Sequence, residues 1–410
     1  MSSTAKTKVL SVAATLALAS SAVVLTGAPA QAASQPYFTY ANGWRVQQHP
    51  RLLADVNGDG RDDILGFGDQ GTYVALGRVN RTFAPPQLRL RDFGYDQGWR
   101  EGEHPRQLAD VNDDGRADVV GFGIAGTTVA YGRTDGGFTA PTHALRDYGT
   151  SQGWLKSEHV RELGDVNNDG RADIVGFGYS KTYVSYARVG GGFTAPTVAA
   201  NDLTAAQGWK IGEHLRELAD VNGDNRDDIV AFGAKGVAVA YARSTGGFTA
   251  PTVRVGDFGT NQGWSEQRTP RVTGDLNGDL IEDLVGFGNA GTYVSYGRFG
   301  GGFSAPTLKV ADFGSYQGWK IGHHIRALAD ANGDGTADIV GFGYSGTYVA
   351  LTQRDGSVGA ASLWLREFGN NDGWTVDLYP RVLADVNGDN RADVVGFGYS
   401  STIVEMLKRS

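Results

Sequence analysis

The sequence predicts an all-β chain closed into a seven-bladed β-propeller with four-stranded antiparallel blades, and three observations carry that expectation. Seven tryptophans, Trp44, Trp99, Trp154, Trp209, Trp264, Trp319 and Trp374, stand 55 residues apart without drift. Seven aspartates, Asp55, Asp110, Asp165, Asp220, Asp275, Asp330 and Asp385, keep the same interval. Each 55-residue unit holds four short β-type runs separated by turn residues, and helical spacing is absent. Four strands per unit, in about four to eight units, is the arithmetic of a closed ring of blades. A linear β-solenoid is the competing architecture, but its coils are much shorter and its ends carry distinct caps, which these units lack.

Taken in chain order, the first element is a targeting segment. Lys6 and Lys8 precede an apolar run over 9–25, and Ala30, Gln31 and Ala32 form an A-x-A cleavage pattern, so residues 1–32 read as a secretory signal peptide and the protein as secreted. The run is interrupted by Ser11, Thr15, Ser20 and Ser21 and lacks a basic stop-transfer flank, which disfavours a retained membrane anchor. Residues 33–410 then form one propeller domain, with units beginning near 44, 99, 154, 209, 264, 319 and 374. In the first unit the expected strands are 44–54, 63–67, 72–76 and 87–93, with the loop 55–60 and the turn Ala84-Pro85-Pro86 between them. The seventh unit reaches Ser410 before a fourth strand, and Tyr37 to Tyr40 align with the end of the missing one. Residues 35–41 are therefore expected to complete the last blade and remove two exposed sheet edges.

Composition narrows the function. No cysteine is present, so an extracellular chain of this size must hold its loops without disulfides. The formal net charge is -8, and loss of Lys6 and Lys8 with the signal brings it to -10, which argues against nucleic acid as a partner. No later segment is apolar enough to span a membrane.

Each acidic loop has the form D-x-N-x-D-x-x-x-D. Position one is the aspartate series given above; position three is Asn57, Asn112, Asn167, Asn222, Asn277, Asn332 and Asn387. Position five is Asp59, Asp114, Asp169, Asp224, Asp279, Asp334 and Asp389, and position nine is Asp63, Asp118, Asp173, Asp228, Asp283, Asp338 and Asp393. Calcium takes six to eight hard oxygens, and such a loop offers them from these four side chains and the carbonyl at position seven. Up to seven structural Ca2+ ions are expected, acting as clamps in place of disulfides and shifting the net charge from -10 to +4. Position six needs a left-handed backbone; Gly60, Gly115, Gly170, Asn225, Gly335 and Asn390 suit it and Leu280 does not. The alternative is a set of metal-free polar turns, whose carboxylates would repel one another without compensation.

A second constellation precedes each acidic loop. Arginine recurs in all units, as Arg51, Arg106, Arg161, Arg216, Arg271, Arg326 and Arg381; histidine recurs in five, as His49, His104, His159, His214 and His324, with Thr269 and Tyr379 in the other two. A planar indole beside hydrogen-bonding groups suits a pyranose, which offers apolar C–H faces and hydroxyl edges. The competing reading is inter-blade packing of tryptophan with arginine stacked on it. No asymmetric catalytic constellation stands out, and His143 and His323, which lie outside the repeated position, have no evident catalytic partner.

The run Phe93-Gly94-Tyr95-Asp96-Gln97-Gly98-Trp99-Arg100, followed by His104-Pro105-Arg106, Asp110-Val111-Asn112 and Asp118-Val119-Val120-Gly121-Phe122-Gly123, resembles the repeats of the Psathyrella velutina lectin family. More broadly it is similar to FG-GAP or VCBS-type repeats, also found in integrin α-subunit propellers. The resemblance implies a seven-bladed ring, calcium in the blade loops, and several pockets between blades that take N-acetylglucosamine-type or sialylated glycans. Carried over by motif, the Trp, His and Arg series are the carbohydrate-binding candidates. Thr269, Tyr379 and Ala231, the last replacing a glycine of the G-F-G motif, mark departures in units five, seven and four. A multivalent, non-enzymatic lectin is the leading reading; an integrin-like protein-binding adhesion scaffold comes second and a glycan-active enzyme third.

Overall fold

The computed structural model describes residues 33–408; the signal-peptide reading falls on residues 1–32, outside the described residues. The described residues form seven four-stranded antiparallel sheets, six of them in simple sequence order. In the first, Arg51–Ala54 pairs with Asp63–Phe67, which pairs with Thr72–Ala75, which pairs with Gln87–Leu90. The innermost strands touch from blade two through blade six and between the first and seventh, and backbone hydrogen bonds from Ala117 to Asp55 and from Ala392 to Asp330 join the remaining neighbours, so the ring is closed. Among the described residues no helix is long and apolar enough to cross a membrane.

The second strand of each blade carries the core because it is covered on both faces by neighbouring blades. Asp63–Phe67 is buried at every position, and so are its six equivalents over their first five residues. Such strands read as continuous apolar runs rather than alternating ones. The acidic loops are stitched together by backbone: Ala117 donates its N–H to the Asp55 carbonyl of the preceding blade at 2.9 Å, and Asp62 donates to Asp385 at 2.8 Å across the closure.

Three sequence-based boundaries need correction. Residues 44–50 are a turn rather than strand, because the Arg45 carbonyl accepts the His49 N–H at 2.7 Å and closes a helical-type loop before Arg51. The fourth strand stops at Leu90, since Phe93 adopts φ 61° and Tyr95–Gln97 form a 3-10 turn. The last blade is completed not by 35–41 but by Ala33–Gln35, which pairs antiparallel with Thr402–Met406 at Thr402, Ile403 and Val404. Residues 37–42 follow as the bend and 3-10 turn, matching Phe93 and its neighbours one repeat later.

Candidate functional site

Antiparallel alternation sorts the two recurrent constellations to opposite faces of the ring. The acidic loop joins the first and second strands at the lower face; the tight second-to-third loop and the tryptophan segment leading into the next blade both lie at the upper face. The 3-10 turn before each tryptophan docks on the preceding blade's tight loop, as Tyr95 donates to the Gly68 carbonyl at 3.0 Å and Asp96 to that of Asp69 at 2.9 Å.

On the upper face the tryptophan is a wedge. A Cβ on Gly66 would lie 2.5 Å from both the Trp44 and Phe38 rings, and on Gly121 2.4 Å from Trp99, so the G-F-G glycine is required by the indole packed on it. Unit four carries Ala231 there, and the same unit has Leu203 where the others have Phe or Tyr, the smaller side chain making room for the methyl. Trp99, Trp154, Trp264 and Trp319 are further pinned by Nε1 hydrogen bonds of 2.8–3.0 Å to Asp92, Asp147, Asp257 and Asp312.

The arginines lie beneath this layer. All seven are buried, and each donates from Nη1 to the carbonyl thirteen residues earlier: Arg51 to Phe38, Arg106 to Phe93, Arg161 to Tyr148, Arg216 to Leu203, Arg271 to Phe258, Arg326 to Phe313 and Arg381 to Phe368. Those acceptors share a positive φ of 52–67°, strained for non-glycine residues, so the guanidinium clasps a costly turn. Each guanidinium also sits over a phenylalanine of the preceding blade, as Arg106 does over Phe67 at 5.3 Å. The arginines therefore shape the pocket floor instead of presenting to solvent. The sequence showed their recurrence but not the buried carbonyl they serve, because a left-handed aromatic has no composition signal.

The histidines are placed differently. His49, His104, His159, His214 and His324 each accept, at Nδ1, the backbone N–H of the residue after the tryptophan, at 3.0–3.2 Å. That fixes Nε2 as the protonated nitrogen. His49 Nε2 faces Asp69 Oδ1 at 2.9 Å, whereas the Nε2 atoms of His104, His159 and His324 are buried without a protein partner. Burial, with neighbouring arginines contributing, holds His104, His159, His214 and His324 below the usual histidine range, the last at about 4. Thr269 reproduces the acceptor with its hydroxyl, 2.7 Å from the Ser265 N–H.

Equivalent cavities open beside this layer. In unit one about 330 Å³ is lined by Trp44, His49, Asp69, Gln70 and Tyr73; in unit five about 440 Å³ by Trp264, Thr269, Asn289, Tyr293 and Tyr316; in unit two about 140 Å³ by Trp99, His104, Ile124 and Thr128. The tight-loop residues Asp69, Asn289 and Ile124, at one repeat position, vary the polarity of otherwise similar pockets. Their role comes from tertiary proximity, since each stands 25 residues after its tryptophan in sequence.

On the lower face the acidic loops have one backbone. Asp55 Oδ1 accepts the N–H groups of Asn57, Gly58 and Asp59, and Oδ2 that of Gly60 at 2.7 Å. Position six is left-handed in all seven units, including Leu280 at φ 66°. Asp63 is wholly buried, accepts from Val56 and Gly77, and is pushed up to about 8 mainly by desolvation. Positive charge already stands beside four loops, where Arg61, Arg116, Arg171 and Arg226 pair with Asp59, Asp114, Asp169 and Asp224. Arg81 reaches across the closure to Asp389 at 2.6 Å and Asp393 at 3.2 Å. Among the described residues no group of three or more His, Asp or Glu side chains is placed to hold a metal ion by itself. The donor set nevertheless suits a hard cation: Asn112 Oδ1, Asn167 Oδ1 and Asp393 Oδ2, all at proposed ligand positions, are buried without a partner.

Comparison with known proteins agrees with this architecture. Residues 110–176 match the family model for the FG-GAP-like repeat. No curated protein matches the chain. A solved structure describing specific recognition of non-reducing terminal N-acetylglucosamine by an Agrocybe aegerita lectin is 39% identical, covers 83% of this chain and 86% of its own, and superposes with a TM-score of 0.81. Much more distant are the Photorhabdus luminescens Tc holotoxin pore (15% identity, 87% of this chain and 16% of that one, TM-score 0.47) and the Bacillus licheniformis rhamnogalacturonan lyase (14%, 89% and 72%, TM-score 0.45), a likeness too slight to carry an argument. With its blades, its repeat and its full-length similarity to a propeller lectin in hand, the chain belongs to the family of seven-bladed glycan-binding propeller lectins built from FG-GAP-like repeats.

Proposed function

We propose that the protein is a secreted, multivalent lectin that binds terminal N-acetylglucosamine-type glycans in the upper-face pockets, with calcium ions bracing the lower-face loops. The observation that carries this reading is the recurrence of one pocket plan in a chain 39% identical to an N-acetylglucosamine-specific lectin. An indole edge and a tyrosine such as Tyr73 or Tyr293 offer apolar surface to a pyranose face or an acetamido methyl. Asp69 or Asn289 offers an acceptor for hydroxyl or amide hydrogens. Trp and His form the wall and Arg the floor. Several weak equivalent sites on one face suit a glycan-coated surface, where avidity exceeds single-site affinity.

Calcium in this reading is held by positions one, three, five and nine with the position-seven carbonyl, on the face opposite the sugar, and its work is structural. Titration calorimetry with N-acetylglucosamine tests the binding claim, with glucose as control and a sialylated oligosaccharide as a second arm. Saturable heat with more than one site per chain is expected, and Asp69→Ala should remove one site. Absence of binding to N-acetylglucosamine-terminated and sialylated glycans alike would overturn the lectin specificity.

A further inference from the structure

Where the innermost strands meet at the axis, a cavity of about 470 Å³ opens at the upper end, lined by residues of units one to five together with Pro380 of unit seven. It shares no lining residue with the three tryptophan pockets described above, and its size is that of a small-molecule site. Val46, Leu52, Val160, Ile211 and Leu215 give it apolar walls. Its charged lining is five basic side chains, Arg51, Arg106, Lys156, Arg161 and Arg216, against three acidic ones, Glu101, Glu162 and Glu266.

Because Nη1 of every repeated arginine is held by a carbonyl, the other edge of each guanidinium, formed by Nε and Nη2, is the two-donor fork that matches a carboxylate. In unit two the chain supplies that carboxylate itself: the residue two positions after the tryptophan is Glu101, which accepts from Arg106 Nη2 at 3.0 Å and from Lys156 at 2.8 Å. Units three and five turn Nη2 onto a backbone carbonyl, Arg161 onto that of His159 at 3.4 Å and Arg271 onto that of Glu213 at 3.5 Å. In units one, four, six and seven the equivalents of Glu101 are the apolar Val46, Ile211, Ile321 and Val376. In those same units Nε and Nη2 of Arg51, Arg216, Arg326 and Arg381 are buried without a protein partner.

Two of these four arginines, Arg51 and Arg216, line the well. Carboxylates already act on Arg216 through space, from Glu266 and Glu162. None acts on Arg51, where burial alone pulls the guanidinium down to about 10. Arg51 is only 7% exposed, and a buried cation without a counter-charge is costly until an anion meets it. The remaining unpartnered atoms of the wall are donors on Arg106, Arg161 and His159, with Gln107 Oε1 as the acceptor.

We propose that the axial well binds one small organic monocarboxylate per chain, its head on the edge of Arg51 formed by Nε and Nη2 and its apolar body against Val46, Leu52 and the facing apolar walls. The ligand's carboxylate takes in unit one the part that Glu101 plays in unit two.

Titration calorimetry of the full chain at about pH 7 with hexanoate, 1-hexanol and n-hexylamine tests the site, the acid being ionised and the amine protonated there. Hexanoate should bind at one site per chain and at least about tenfold more tightly than the other two. Arg51 itself holds the Phe38 carbonyl, so the informative variant is Val46→Glu, which gives unit one the acid of unit two. It should weaken hexanoate by at least about tenfold and leave the N-acetylglucosamine titration unchanged. Val46→Gln, of equal bulk and no charge, should retain most of the hexanoate affinity. Equal binding of hexanoate and hexanol, preference for hexylamine, an unaffected Val46→Glu variant, or equal loss in both variants would each overturn the proposal. If the variants fail to fold, the three-probe series on the unaltered protein still decides. The sugar titration is read separately, so failure here leaves the lectin reading standing, and the reverse holds too.

Discussion

At His324, one side chain does two jobs whose requirements conflict. It must stay neutral to accept the Lys320 N–H at Nδ1, yet it is buried beside Arg326, and those two causes bring it down to about 4. The unfolded chain takes up that proton near the ordinary histidine value, so between about pH 6.5 and pH 4 it binds more protons than the folded one. The contribution of this ring to stability should therefore fall as pH drops through that window, with His104, His159 and His214 adding in the same direction. The protein supplies its own control in Thr269, which makes the same bond without a titrating ring. His324→Thr is expected to keep the turn and to recover ~1–3 kcal/mol of the stability lost on acidification. Thermal melts of both forms across pH 4–7 measure this, and identical pH slopes would show that the ring is not responsible. The sequence displayed the histidine and its threonine substitute at one register position; that they serve a backbone N–H became visible only once the turn was built.

Ring closure is decided at the scale of a three-residue element. Ala33–Gln35 is the outer strand of the last blade, and its final side chain reaches the first blade, with Gln35 Nε2 donating to the Phe83 carbonyl at 2.7 Å and Oε1 accepting the Phe83 N–H at 2.6 Å. Further closure contacts run from Tyr40 and Ala41 to the carbonyls of Gly398 and Tyr399. Gln35→Ala strips both amide bonds and exposes the Phe83 backbone, at an expected cost of about 1–3 kcal/mol. Hydrogen exchange should report it as faster exchange in Thr402–Met406, with blades three to five unchanged. Uniform exchange across all blades would mean that the ring closes without this clasp. The register of the whole repeat predicted that an N-terminal segment fills the gap. The pairing residues lay just upstream of those expected because the left-handed Phe38, at φ 52°, turns the chain out of the sheet after Gln35.

For the whole molecule, the lower face sets a charge problem. Without a cation, burial first of all pushes the position-nine carboxyls Asp63, Asp118, Asp173, Asp228 and Asp283 up to about 8, and Asp338 and Asp393 to about 7. Raised carboxyl values mean that the folded state binds more protons, so the contribution of these seven groups is greatest below the ordinary aspartate range and is lost as pH rises towards 8, and by number it outweighs the opposite slope of the four histidines in the metal-free protein. Bound calcium would remove that slope by favouring the ionised form. In scanning calorimetry the melting temperature is expected to fall from pH 5 to pH 8 in chelator, and to stay level with millimolar calcium. A melt indifferent to calcium at pH 8 would leave the arginine pairs of units one to four as the compensation for those loops.

The sequence alone determined the number of blades, the strands per blade, the two recurrent constellations and the family they resemble, because a strict 55-residue register is a one-dimensional record of rotational symmetry. Leu280, which the sequence set apart from its glycine and asparagine equivalents, takes the same left-handed turn in the structure, since seven equivalent loops in one ring share one backbone. What only the tertiary structure decided was depth and facing. Arginines that read as possible ligands lie under the pocket, the acidic loops lie on the opposite face, and Val46 and Arg51 come together with Glu101 and Arg106 at the axis. The reason is physical: periodicity fixes which residues are equivalent, whereas burial and proximity depend on how adjacent blades stack.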